Sequence, residues 1–305
     1  MRAAASLLGL GVAAASAAGQ DAASPAPVFR AESDLVVLHV NVFDRAAPVG
    51  GLPREAFQVF EDDVPQTIRF FSTADVPVSV GLVIDNSTSM LTRRAMVAAG
   101  ARAFAASAHP EDELFTIVFN EHVELGLPPT VKFTTSRPLL EAALRRFPPG
   151  GLTALHDAVM AGLEHLLEAS HQKQVLVVLS DGEDNASRHS ERDMLERAAR
   201  SSAMIYTVST ARLQRHDGNP RLMTELADVT GGIAYAPRTE ADVVRAFEEI
   251  AESMRRGYSI GYVPTNTAHD GRYRRIRVTA HAPGRGRLKV HARDGYLPPR
   301  HTEPR

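Results

Sequence analysis

Val78-Ser79-Val80-Gly81-Leu82-Val83-Ile84-Asp85-Asn86-Ser87-Thr88-Ser89-Met90 is the stretch that decides the fold. Up to Ile84 it is a nearly continuous apolar run, as expected of a strand buried on both faces. Pro77 stands just before it, where a missing N–H is tolerated. The run then ends in D-x-S-x-S, one carboxylate and two hydroxyls with no His or Cys among them. In an open α/β sheet, ligands bind outside the carboxyl ends of the strands, so a site is expected in this loop. An oxygen-only donor set suits a hard divalent cation: Mg²⁺ takes six oxygens at about 2.0–2.1 Å and usually keeps several waters.

Outward from this strand, strand and helix patterns alternate. Thr92 to Ala108 is Ala-rich and helical, and Leu114 to Phe119 is a second buried run. Ala154 to Ala169 reads as a helix, with Leu155, Val159, Leu163 and Leu166 near helical spacing. Val175 to Leu179 (VLVVL) is a strand, Ser190 to Ser201 a helix, Ala203 to Val208 a strand and Pro220 to Val229 a helix. Glu240 to Met254 closes the series as a helix with Val243, Phe247 and Ile250 on one face. This alternation predicts an α/β fold over residues 76–254, a Rossmann-like, doubly wound and mostly parallel sheet covered on both faces.

On both flanks the pattern becomes short and strand-like. Val36, Leu38, Val40 and Val42 alternate with Val37, His39 and Asn41, which predicts a strand with one buried face. Gly50-Gly51-Leu52-Pro53 is a turn, and Phe57–Glu61 and Thr67–Phe71 flank Asp62-Asp63-Val64-Pro65 as a hairpin. Residues 28–73 read as an N-terminal β module. Residues 256–299 read as a C-terminal β-rich extension, with strands over Tyr258–Val263, Arg274–Ala280 and Leu288–Ala292. From Arg255 to Arg305 there are 12 Lys or Arg against 3 Asp or Glu. Such a run is commonly a solvated face, and it also suits anionic lipid or polysaccharide.

Composition narrows the classes. With 34 basic and 36 acidic residues among 305, the net charge of -2 gives no whole-chain attraction to nucleic acid. Cys is absent, which excludes disulfides, thiolate metal sites and a Cys nucleophile. At the N-terminus, Arg2, an apolar core over Leu7 to Val12 and small residues at A-x-A spacing up to Ala18 read as a signal peptide over residues 1–19. Its apolar run is too short to span a bilayer, and no later stretch is long and apolar enough for a transmembrane segment. Export to the periplasm or the extracellular space is therefore expected.

Two further loops fall at strand ends or helix starts. Pro148-Pro149-Gly150-Gly151-Leu152-Thr153 presents a hydroxyl at a helix start, and Ser180-Asp181-Gly182-Glu183-Asp184 follows the VLVVL strand. Taken singly, Asp85, Ser87 or Thr153 has a structural reading as a helix N-cap, and Ser180-Asp181-Gly182 as a turn. Taken together, in this order, the three loops resemble the von Willebrand factor type A domain and its metal-ion-dependent adhesion site. The resemblance implies metal ligation by Asp85, Ser87, Ser89, Thr153 and Asp181, some directly and some through water. It also implies an open coordination position that accepts an acidic side chain of a partner protein. The loop departs from the family's common Gly-Gly-Thr by the inserted Leu152.

The flanks resemble bacterial von Willebrand factor A-related proteins common among Acidobacteria. The matching residues are Val42-Phe43-Asp44, Gly51-Leu52, Phe57, Glu61-Asp62 and Pro65-Gln66-Thr67-Ile68-Arg69-Phe70 before the site. After it come Tyr258-Ser259-Ile260-Gly261-Tyr262-Val263-Pro264, Asp270-Gly271, Arg274–Val278 and Gly295-Tyr296.

Enzyme readings find less support. Gly257-Tyr258-Ser259-Ile260-Gly261 matches G-x-S-x-G, but Val263-Pro264 follows where a nucleophile elbow needs a helix. An aspartyl phosphotransferase would carry a second carboxylate where Ser87 stands, and a hydroxyl cannot act as the general acid near neutral pH. No H-E-x-x-H occurs, His165 and His171 lack i, i+4 spacing, and Asp181–Asn185 misses the EF-hand pattern. The reading that results is a secreted or envelope adhesion or scaffolding protein, non-enzymatic, that binds Mg²⁺ or Mn²⁺ and through it a protein partner. The alternatives are a Mg²⁺-dependent hydrolase or phosphatase on the same sheet, with Glu183 or Asp184 as the nearby base, and a metal-tuned spacer within an envelope assembly.

Overall fold

Val36–Asp44 forms strand β1, and its alternate residues Leu38, Val40 and Val42 are buried as the alternation predicts. Each such burial stabilises by roughly 1.5–3 kcal/mol, so a slip of one residue, which would turn Val37, His39 and Asn41 into that core, is strongly disfavoured. The computed structural model describes residues 35–45, 47–144, 148–211, 218–268 and 270–298; the expected signal peptide, residues 1–19, lies outside them.

The remaining flanking strands are β2 (Ala47–Pro48), β3 (Phe57–Glu61), β4 (Val64–Gln66) and β5 (Ile68–Ser72) before the α/β region. After it come strands over Tyr258–Tyr262, Arg274–Ala280, Lys289–His291 and Gly295–Tyr296. The two groups interleave. β1 runs antiparallel to Tyr258–Tyr262 on one edge and to Lys289–His291 on the other. β3 pairs antiparallel with Arg274–Ala280. One apolar cluster, including Leu38, Val40, Phe57, Val59, Ile260 and Ile276, draws on both sheets. The hairpin differs in detail from the sequence expectation. Asp62 and Asp63, at φ 47° and 66°, turn β3 directly into β4, and β5 crosses to the other sheet to pair with Tyr258–Tyr262.

Between β5 and Tyr258 the chain builds its α/β part. In order these elements are β6 (Ser79–Asp85), α1 (Arg94–Ser107), β7 (Glu113–Phe119), β8 (Val123–Leu125), α2 (Arg137–Leu144), α3 (Leu155–His165), β9 (Gln174–Ser180), α4 (Glu191–Arg200), β10 (Met204–Ser209), α5 (Pro220–Thr230), β11 (Ala234–Tyr235) and α6 (Glu240–Arg256). The returning strands are then β12 (Tyr258–Tyr262), β13 (Arg274–Ala280), β14 (Lys289–His291) and β15 (Gly295–Tyr296). The six-stranded sheet has the order β11-β10-β9-β6-β7-β8, parallel except for β8 at its edge. Successive residues of β6 and β9 face opposite sides: Val80, Leu82, Val175 and Val177 pack with α1 and α6, while Val83, Leu176 and Val178 pack with α3, α4 and α5. The mostly parallel, doubly wound α/β fold expected from the alternation is present. Helix α2 is an addition to the sequence reading; Ser136 stands before it, its hydroxyl accepting from Leu139 N–H at 3.4 Å.

This topology places a crevice. From β6 the chain passes over one face through α1 to β7, whereas β9 leads over the other face through α4 and α5 to β10 and β11. The winding therefore reverses between β6 and β9, and ligands of open α/β sheets bind at such a reversal, outside the strands' carboxyl ends. The residues at those ends are Asp85 and Ser180-Asp181.

Candidate metal centre

Asp85 is the last residue of β6 and is 2% exposed. Its two carboxylate oxygens have separate partners: Oδ1 accepts from Ser87 N–H at 2.9 Å, and Oδ2 from Ser180 Oγ at 2.6 Å. Burial pushes the Asp85 carboxyl above its ordinary range, and the neighbouring Asp181 charge pushes the same way, while the Ser180 and Ser87 hydrogen bonds pull it back. The Ser87 and Ser89 hydroxyls lie 3.1 Å apart. Ser87 heads the 3₁₀ turn Thr88–Arg93, yet its side chain makes no capping bond. The N-cap explanation of that hydroxyl therefore fails here.

The Gly-rich loop is fastened to this first loop by backbone. Gly150 N–H donates to the Asn86 carbonyl at 2.9 Å, and Thr88 N–H and Oγ1 both donate to the Gly151 carbonyl at 3.2 and 3.0 Å. Gly151 has φ +84°, which favours glycine, and a Cβ there would displace the Glu121 carboxylate from its place beside the loop. That Glu121 oxygen accepts from Leu152 N–H at 2.8 Å. The inserted Leu152 is turned outward, 54% exposed, while Thr153 is turned inward and buried. The head of α3 takes its side-chain acceptors from elsewhere: Asp184 Oδ2 accepts from His156 N–H at 3.0 Å, and Thr153 makes no cap.

The third loop closes the ring. Thr153 N–H donates to Asn185 Oδ1 at 2.8 Å, and the Thr153 carbonyl accepts from Asn185 and Ala186 N–H. Asp181 is fully buried; its Oδ1 accepts from Glu183 N–H at 3.2 Å, and its Oδ2 lies 3.1 Å from Arg93 Nη1. Arg93 is itself buried, with Met90 Sδ 3.9 Å from the same nitrogen.

The structure thus brings the three predicted loops into one mutually bonded cluster at the reversal of the sheet. Asp85, Ser87 and Ser89 are linked directly to one another, Asp181 reaches Asp85 through the adjacent Ser180, and Thr153 is held by Asn185. Sequence reasoning missed Ser180, Asn185, Glu121 and Arg93. Ser180 at the strand end beside Asp181 was visible in the sequence; nothing local marked the other three. The carboxylate and hydroxyl oxygens of this donor set fit a hard divalent cation.

The sequence alternatives are also placed. Ser259 stands in the middle of β12, flanked by β1 and β5, with no helix after it. The Asp184 carboxylate is engaged by His156 N–H and by Ser187 N–H and Oγ. His165 Nε2 bonds the Lys132 carbonyl and His171 Nε2 the Glu111 carbonyl.

Comparison with known proteins agrees with the fold. Residues 80–183 match the family model of the von Willebrand factor type A domain. A von Willebrand factor type A protein from Catenulispora acidiphila has 15% identity and TM-score 0.51, covering 90% of this chain and 76% of that one. An aerotolerance-related membrane protein from Bacteroides fragilis has 15% identity and TM-score 0.47, covering 57% and 98%. The von Willebrand domain of the type V pili tip protein Mfa5 from Porphyromonas gingivalis has 14% identity and TM-score 0.48, covering 59% and 96%. At 15% identity the likeness to the Catenulispora protein is one of fold. No curated protein matches the sequence.

Proposed function

We propose that this chain is an exported, non-enzymatic adhesion or scaffolding protein. It holds Mg²⁺ or Mn²⁺ through Asp85, Ser87, Ser89, Thr153 and Asp181 and binds an acidic side chain of an envelope or extracellular protein at the metal's open position. Residues 1–19 serve as the signal peptide, residues 76–254 as the binding unit, and residues 28–73 and 256–299 as its flanking β support.

The observation that carries the reading is Asp85, buried at the end of β6, with the Ser87 and Ser89 hydroxyls 3.1 Å apart beside it and no capping bond to occupy Ser87. A bound cation would supply a Lewis-acidic site for a carboxylate. The chain's own part is to hold the donors: Ser180 and the Ser87 amide orient Asp85, and the bonds between loops fix the hydroxyls in advance, so little ordering is left to binding. Against the hydrolase alternative, of its two candidate bases Asp184 is committed to three hydrogen bonds at the head of α3, and Glu183 Oε1 accepts from Gly218 N–H at 3.2 Å; a base for an attacking water needs a free, positioned carboxylate. No helix among the described residues is long and apolar enough to cross a membrane.

Calorimetric titration with Mg²⁺ or Mn²⁺ tests the site. One binding event is expected, and Ser87→Ala with Ser89→Ala removes it; unchanged binding in that double variant places the metal elsewhere. A Mg²⁺-dependent pull-down from envelope extract, with Asp85→Ala as the blank, tests the partner. Binding should weaken when partner carboxylates are amidated, and the partner should remain chemically unchanged. Metal-dependent cleavage or dephosphorylation, seen by mass spectrometry, promotes the hydrolase instead.

A further inference from the structure

Beside Asp85 the sheet and α1 leave a gap. Ile84 and Val118 stand side by side in β6 and β7, and with Met90 they floor a cavity of about 120 Å³ that reaches Asp85. The gap has a cause in the sequence of α1. Gly100 holds the helix close to α6, where a Cβ would stand 2.5 Å from the Phe247 ring. Ala98, two residues earlier and so on nearly the opposite side of the helix, has only a methyl with which to fill the cavity, and Val97 beside it stays half-buried.

Volume decides what class of ligand fits. Small-molecule sites run to about 300–1,000 Å³, whereas a dry apolar cavity of about 150 Å³ holds one benzene ring. At about 120 Å³ this cavity suits a single apolar side chain and is too small for a cofactor.

The charged lining decides what surrounds that side chain. Arg94 and Arg102 of α1 both line the cavity, about 12 Å apart along the helix, and both are exposed. Among the described residues no carboxylate pairs with either guanidinium. Of the carboxylates in the lining, Glu141 of α2 is engaged in an interaction of its own, and Asp85 is held by Ser87 and Ser180. Two unpaired cations beside an apolar cavity fit an acidic protein segment, attracted by charge and anchored by one buried side chain.

We propose that this cavity is a second subsite of the metal centre. It receives the apolar side chain next to the acidic residue that meets the metal, and Arg94 and Arg102 receive a further carboxylate of the same segment. This rests on the metal-dependent binding reading above and adds the sequence chemistry of the partner: acidic residues around an aliphatic or aromatic one. One segment can fill both places because Asp85 belongs to the wall of both.

The test uses blocked synthetic peptides with one Asp flanked on both sides by Phe, or on both sides by Ser, so that chain direction does not matter. Nuclear magnetic resonance titration into the full chain, with Mg²⁺ and with EDTA, reads their affinities. With Mg²⁺ the Phe peptide should bind about tenfold more tightly than the Ser peptide, the lower end for burying such a side chain. Ala98→Leu, which fills the cavity, should abolish that difference and leave Mg²⁺ affinity as in wild type. Val97→Ala, which strips one wall, should shrink the difference and serves as the second variant if circular dichroism shows Ala98→Leu misfolded. A Phe peptide extended by further Asp residues should gain affinity at low salt, and Arg94→Gln with Arg102→Gln should remove that gain. Equal binding of the Phe and Ser peptides, or a preference that survives a folded Ala98→Leu, overturns the subsite and leaves the metal reading standing. A Phe preference just as strong in EDTA also overturns it, by showing an apolar site independent of the metal. Failure of every Asp peptide to bind the Mg²⁺-loaded protein overturns the carboxylate-binding reading itself, so the two failures are distinguishable.

Discussion

Ser180 Oγ donates to Asp85 Oδ2 at 2.6 Å, joining the carboxyl ends of two neighbouring parallel strands through buried side chains. Without it, Asp85 Oδ2 would lose this buried hydroxyl donor. Ser180→Ala should destabilise the metal-free protein by about 2 kcal/mol, the range for leaving a buried polar group without its partner. Urea unfolding measures this, and an unchanged midpoint would show the bond to be energetically silent. The same variant should weaken Mg²⁺ binding, because Asp85 then loses the hydroxyl that fixes its Oδ2 and is oriented by Ser87.

Chelation should affect stability modestly. The α/β sheet is buried on both faces by helices, so it does not need an ion to fold, and a bound metal stabilises by mass action: about 2.7 kcal/mol at a hundred times Kd. EDTA is expected to lower the melting temperature by a few degrees and leave the far-ultraviolet circular dichroism unchanged. Loss of the dichroism signal on chelation would mean that the metal is structural.

His39 predicts a pH dependence seated far from the metal centre. Burial, reinforced by the Lys173 and Arg293 charges, lowers its pKa to about 4 from the ordinary 6.5. Between those values the unfolded chain takes up a proton that the folded one does not, so stability falls as pH drops from about 6.5 towards 4 and is unaffected by this group above that window. Denaturation midpoints measured across pH 4–7 should fall less steeply in His39→Gln; parallel curves would remove His39 as the cause.

Glu61 anchors the β strands through charge. Its Oε1 pairs with Arg274 Nη1 at 3.2 Å, and its Oε2 accepts from Tyr262 OH at 2.7 Å and Tyr296 OH at 3.0 Å, all with Glu61 and Arg274 buried. Glu61→Ala strands the Arg274 charge and should cost about 3–5 kcal/mol. Glu61→Gln, which keeps acceptors for both tyrosines, should cost less. Thermal unfolding of the two variants ranks them: equal losses would show that charge carries the contact, and a near-neutral Glu61→Gln that hydrogen bonding does.

Much of the fold and part of the centre was legible in the chain because both are written in local patterns. The apolar run before Asp85, the VLVVL strand before Asp181 and the helical spacing of Leu155, Val159 and Leu163 each follow from burial on one or two faces, and that alternation alone sets a mostly parallel sheet. The D-x-S-x-S loop likewise declares an oxygen donor set wherever it is folded. Tertiary structure decided what depends on contacts between distant segments. It set β1 between β12 and β14, so that the flanking strands on either side of the α/β part share two sheets. It sent β5 across to β12 although the sequence suggested a hairpin with β3. It also put Arg93 on Asp181, Ser180 on Asp85 and Asn185 on Thr153. Periodicity reports which face of an element is buried and carries no information on which partner it meets; the partners here are chosen by strand register and by the need of each buried charge and polar group to find its complement.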